Sequence, residues 1–291
     1  MKYINFIALW LVVFVLSCEQ NPIGENKIQM PNRSISGTVT LSNSNVDPQN
    51  VFVWLEGFNM YTYTDSQGNF EFLLPPPSAQ ANSKGVSGAF DVYYYVANFN
   101  LERTRVYTQN GNFLYSRGGI NSDGELTEKK RLIQKLETQV YVQPSSYHSE
   151  GINVIAGKTD FILRVDVTLR SFRDSVVVFY PGIYDNIRGP LMFRNVETNE
   201  VKILSSAIAG FANAPYDTVR TRPLTRTMAV PIFPTELGVG TFEVIPFIRV
   251  ENPEIPEGIK KELELDFVMP GEEYLRIPYL RSGSNRFFTL F

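Results

Sequence analysis

In the run TDFILRVDVTLRS, residues 159–171, Phe161, Leu163, Val165, Val167 and Leu169 recur at every second position, while Arg164, Asp166, Thr168 and Arg170 fall between them. A period of two puts one set on each face of an extended chain, so the run is a strand with one face buried and one wet. The same spacing opens the chain's first ordered stretch, where Ile35, Gly37, Val39 and Leu41 alternate with Ser36, Thr38 and Thr40. It returns at VFVWLEG, where Val51, Val53 and Leu55 oppose Phe52, Trp54 and Glu56. With 21 Phe and 15 Tyr, the composition favours strands over helices. The runs are short and separated by Gly, Pro, Asn and Asp, which points to an all-β chain of packed sheets.

The turns sharpen that reading. DSQGN, residues 65–69, offers Asp65 and Asn69 at turn ends and Gly68 for a positive φ, which predicts a hairpin between NMYTYT and NFEFLL. Pro75, Pro76 and Pro77 then forbid further ladder hydrogen bonds. Asn110-Gly111 predicts a second hairpin, and ETNE at 197–200 a third. FDVYYYVANF is read as the closing strand of the first unit, and DSVVVFYPG, RTMAVPIF, GTFEVIPFIRVENP and KELELDFVMPG as strands of a second. Pro231 and Pro246, inside apolar runs, point to edges or bulges. ELTEKKRLIQKLE, residues 125–137, reads as a short helix with Leu132, Ile133 and Leu136 on one stripe, or as a strand entering TQVYVQP. PSSYHSEG after it reads as a linker.

The N-terminus constrains location. One lysine precedes an apolar run over residues 4–16, too short to span a bilayer and the length of a signal-peptide core. The chain's only cysteine, Cys18, follows directly. VLSC at 15–18 resembles the lipobox of bacterial lipoproteins, with a leucine at its second position. That resemblance implies cleavage before Cys18 and a diacylglyceryl thioether on its sulfur; an ordinary signal peptide and an uncleaved anchor are the alternatives. Residues 18–32, polar with Pro and Gly, read as a tether. The expected division is therefore a leader at 1–17, a tether at 18–32, a first β-sandwich at 33–100, an uncertain extension at 101–150 and a second β-sandwich at 151–291. The expected location is the bacterial envelope, lipid-anchored, at the outer membrane.

ISGTVTLS, VFVWLEG and YTDSQGNFEFLLP together resemble the carboxypeptidase regulatory-like domains, which are transthyretin-like β-sandwiches. The matching positions are Ile35, Gly37, Val39, then Val51, Val53, Leu55, Gly57, then Thr64, Asp65, Gly68, Phe70, Phe72 and Pro75. The resemblance covers about residues 33–100. It implies a fold commonly appended to secreted or surface proteins, and no activity.

Candidate chemistry is sparse. A net charge of −3, which becomes −4 when Lys2 leaves with the leader, and the absence of a basic stripe exclude a nucleic-acid binder. One histidine, His148, lies among Ser145, Ser146 and Ser149, and any Ser-His-Asp site would have to use it; a surface histidine is the plainer reading. One histidine and one lipid-bearing cysteine leave no set for zinc, and DSQGN lacks the spaced acids of an EF-hand. No cofactor, metal or catalytic residue is therefore expected. Two carboxylates would suffice for glycoside hydrolysis, but thirty acids single out no pair. More informative are Trp54, Tyr61, Tyr63, Tyr93 and Tyr95, clustered on a few strands. They fit either a buried core or an exposed patch on which sugars stack. The expected function is a membrane-anchored, non-catalytic binding or assembly module with an envelope protein or polysaccharide as partner. A carbohydrate-binding module and a carboxylate-based hydrolase are the alternatives.

Overall fold

The computed structural model describes residues 32–42, 47–80, 84–179, 182–184, 187–188, 191–204, 216–263, 265, 281–282 and 285–291. The leader, Cys18 and the tether to residue 31 lie outside the described residues, as does most of KELELDFVMPG.

The chain is all-β, built as two sandwiches. In the first, Ser34–Leu41 pairs antiparallel with Asn69–Leu73 and parallel with Lys130–Leu132. The facing sheet runs in the order Met60–Tyr63, Phe52–Leu55, Gly88–Tyr95, Glu102–Gln109, Asn112–Phe113, every pair antiparallel. Alternation decides which side chains meet between the sheets: Ile35, Val39, Phe70 and Phe72 come from one, and Val53, Leu55, Val92, Tyr94 and Val106 from the other. Tyr94 is fully buried there, and its hydroxyl reaches Thr104 Oγ1 at 3.1 Å.

The second sandwich centres on Leu136–Gln143, Ile162–Ser171 and Leu224–Pro231, paired antiparallel. It faces Leu191–Asn195, Val201–Leu204, Gly240–Pro246 and Phe287–Leu290. Phe161, Leu163, Val165, Val167 and Leu169 all enter this core, as their spacing requires. A smaller sheet, Tyr216–Val219 with Val176–Phe179 and Arg249–Val250, lies beside it.

Several expectations are corrected. The DSQGN turn does not close a hairpin. Met60–Tyr63 pairs with Phe52–Leu55, whereas Asn69–Leu73 pairs with Ser34–Leu41 in the opposite sheet, so the turn carries the chain across the core. The Asn110-Gly111 and ETNE hairpins do form, the first with φ of 50° and 77° at its two central residues. Of the two readings of residues 125–137, the helix fails and the strand entering TQVYVQP holds; Lys130–Leu132 belongs to the first sandwich and Leu136–Gln143 to the second. Leu132 and Leu136, one helical turn apart in sequence, are both fully buried, but in different cores. Residues 101–132 therefore complete the first sandwich, and the link between the two is only 133–135. PSSYHSEG is not a linker either, since Ser146–Tyr147 pairs with the C-terminal strand Phe287–Leu290. Pro231 and Pro246 are the last residues of their strands, where a missing N–H costs no ladder bond. Lys261 and Glu262, expected to open a strand, instead end the helix Glu257–Glu262. No helix among the described residues is long and apolar enough to cross a membrane.

Candidate functional site: an aromatic sheet face

The five aromatic residues singled out above share one surface. Strand register places Tyr61, Trp54, Tyr93 and Arg103 in one cross-strand row, and Tyr63, Phe52 and Tyr95 in the next. The cause is alternation again. Val53, Leu55, Val92 and Tyr94 point into the core, so their neighbours point out of the same sheet. The rings touch across strands: Phe52 lies 5.3 Å from Tyr61 and 5.4 Å from Tyr63, and Trp54 lies 5.8 Å from Tyr93 at 35° between planes. A third row ends the aromatic field in charge. Asp91, 3% exposed, accepts hydrogen bonds from Arg105 Nε at 2.5 Å and Arg103 Nη1 at 3.1 Å, so its burial is compensated.

Half of this face is covered by the other sandwich. Phe52, Trp54 and Tyr95 form a separate small core with Ile255, Ile259 and Leu263, on and around the Glu257–Glu262 helix, with Tyr93, Leu101 and Leu265 at its margin. Trp54 is 6% exposed and Tyr95 equally so, while Tyr61 and Tyr63 remain 47% and 38% exposed. Burial pushes the Tyr95 phenol well above its ordinary range, so the ring enters this contact neutral. The seat is specific. A methyl group built on Gly258 would lie 2.3 Å from Trp54 Cζ2 and 2.7 Å from Cη2, so only glycine lets the helix rest on the indole. Trp54 Nε1 is buried with no hydrogen-bond partner among the described residues. Spacing set Trp54 opposite Val53 and Leu55 and grouped Tyr61 with Tyr63 and Tyr93 with Tyr95, strand by strand, and only strand register joins them on one face. The covering helix did leave a signal, Ile255, Ile259 and Leu263 standing four residues apart.

A cleft of about 800 Å³ opens where the sandwiches meet, walled by Gln134 and Lys135 of the link and by Arg173, Asp174, Glu251 and Glu254. Its acids do not form an isolated pair: Glu251 bonds Arg249 at 2.8 Å, and Glu254 and Asp174 are exposed. Burial pulls the Lys135 ammonium below its ordinary range, opposed by the nearby Glu254 carboxylate. His148 packs its ring 5.3 Å from that of Phe291, and Ser149 Oγ donates to the Phe291 carbonyl at 2.7 Å, so this serine hydroxyl is engaged with backbone. No group of three or more His, Cys, Asp or Glu able to hold a metal ion occurs among the described residues.

Fold and site thus define a two-sandwich β protein with an aromatic sheet face partly covered by its own second half. No family model matches the chain, and no curated protein matches it. Among solved structures, the shaft pilin SpaA from Lactobacillus rhamnosus GG is 10% identical, covering 77% of this chain and 89% of that one at a TM-score of 0.29. The BcpA major pilin subunit of Bacillus cereus is 14% identical, covering 77% and 60% at 0.25. The major pilin from Streptococcus pyogenes is 10% identical, covering 70% and 99% at 0.22. Similarity at these scores says nothing of role or assembly.

Proposed function

We propose that the protein is a non-catalytic binding module of the bacterial envelope, held to a membrane by lipid on Cys18, with a first domain of the carboxypeptidase regulatory-like kind. The observation that carries the binding role is the single sheet face on which Trp54, Tyr61, Tyr63, Tyr93 and Tyr95 come together. The apolar leader followed by VLSC at 15–18 supports the anchor, and we place the module at the outer membrane. Two long acyl chains, at about 0.8 kcal/mol per buried methylene, hold such a module stably. The test is crosslinking and co-purification from native envelopes, comparing wild type with Cys18→Ala. The reading expects a stoichiometric envelope protein, crosslinked to this chain and lost with the anchor. Equal recovery with the unanchored variant contradicts it.

A second reading, glycan binding, is favoured by the exposed rings of Tyr61 and Tyr63, which carry hydroxyl donors. Sugars offer C–H faces for stacking and oxygens for such donors. Tyr61→Ala with Tyr63→Ala removes the exposed rings. It should abolish retention on polysaccharide that the wild-type protein binds, with the fold intact; unchanged retention removes this site.

A further inference from the structure

We propose that the Glu257–Glu262 helix is a detachable latch: it closes over the aromatic face of the first sandwich and, by lifting away from it, controls access to Trp54. The inference rests on the binding-module reading, since it supplies the regulation of that face. Four observations carry it. The contact is a core of its own, sharing no buried residue with the core of either sandwich, so it can open while both stay folded. The helix has six residues and no side-chain cap; helices so short are marginal alone, and this one owes its order to docking. The closed state leaves the Trp54 indole N–H buried without an acceptor among the described residues, a cost that opening to water relieves. The link between the cores is pinned, so the helix can lift without the sandwiches parting: Lys135 N–H donates to the Asn98 carbonyl at 2.8 Å, Asn98 Nδ2 to the Leu136 carbonyl at 2.6 Å, and Phe172 N–H to the Lys135 carbonyl at 3.2 Å.

Gly258 provides the test. Alanine is the better helix former, so Gly258→Ala strengthens the helix while its methyl, 2.3 Å from Trp54 Cζ2, prevents seating. In the full chain carrying Trp10→Phe, Trp54 is the only tryptophan. Gly258→Ala should shift its emission to the red and raise acrylamide quenching several-fold, with both sandwich cores still melting cooperatively. Emission and quenching equal to those of the parent overturn the latch. Hydrogen exchange on the parent decides the matter should the variant not fold. The latch requires the Ile259, Lys260 and Leu263 amides to exchange well before those of Ile162–Ser171, whereas exchange only with global unfolding overturns it. Neither readout depends on a lipid anchor or an envelope partner, so the latch and the binding-module reading can fail separately.

Discussion

Asp65 shows how much one side chain can decide. Its Oδ1 accepts the backbone N–H groups of Gln67 at 2.9 Å and Asn69 at 2.8 Å, and its carbonyl accepts Gly68 N–H at 2.9 Å. The Gly68 carbonyl then takes Val39 N–H at 2.8 Å, stitching the turn to the sheet the chain is about to enter. Thr64, nearly buried, locks the other side: its hydroxyl accepts Val51 N–H at 2.9 Å and donates to the Pro48 carbonyl. Gly68 sits at φ 81°, and a methyl there would lie 2.1 Å from the Val39 carbonyl oxygen. Gly68→Ala is therefore expected to cost about 1–3 kcal/mol, read by denaturant unfolding. The hydrogen bonds, Asn69 N–H first, hold the Asp65 carboxyl below the usual carboxylate range. A depressed folded pKa gives stability that is present above the unfolded value of about 4 and lost as pH falls through the folded one. Asp65→Ala should lower the melting temperature at pH 7, and the gap from wild type should narrow towards pH 3. A constant gap would show that the carboxylate charge contributes nothing.

Among the elements, those with a strict period of two were legible and those set by tertiary contact were not. Phe161 to Leu169 could be placed on one buried face from spacing alone, and so could the outward direction of Trp54 opposite Val53 and Leu55. The turn at Asp65 looked like a hairpin because residue types fix the local bend but not which strand waits beyond it. Residues 125–137 looked helical because Leu132 and Leu136 stand four apart, a spacing that two strands in two cores produce equally well. This gives a direct check. Leu132→Ala and Leu136→Ala should each lose about 2–5 kcal/mol, as for other buried leucines. Hydrogen exchange should place the first loss in Ser34–Leu41 and its neighbours, and the second in Ile162–Ser171. Loss of protection spread equally over both sandwiches would mean a single shared core. The helix over Trp54 was the hardest element to foresee, since its apolar partners lie some two hundred residues away in sequence.

On the scale of the whole molecule, the two sandwiches have separate cores, a three-residue link hydrogen-bonded to both, and an aromatic contact between them. Under the proposed reading, the rings that would stack a ligand also include the internal docking surface, which would couple binding to domain arrangement through Trp54. Trp54→Ala removes the centre of that contact and should uncouple the sandwiches, turning one thermal transition into two in calorimetry; a single unchanged transition would show that the contact carries no coupling. In the proposed reading a lipid anchor would determine where the module operates, and that claim stands or falls with Cys18. Membrane fractionation with intact mass of the mature protein tests it most directly. The account predicts a membrane-bound chain beginning at Cys18 and carrying diacylglyceryl, and release from the membrane on Cys18→Ala. A wild-type chain that is unmodified at Cys18, or a Cys18→Ala variant that stays membrane-bound to the same extent, would contradict it.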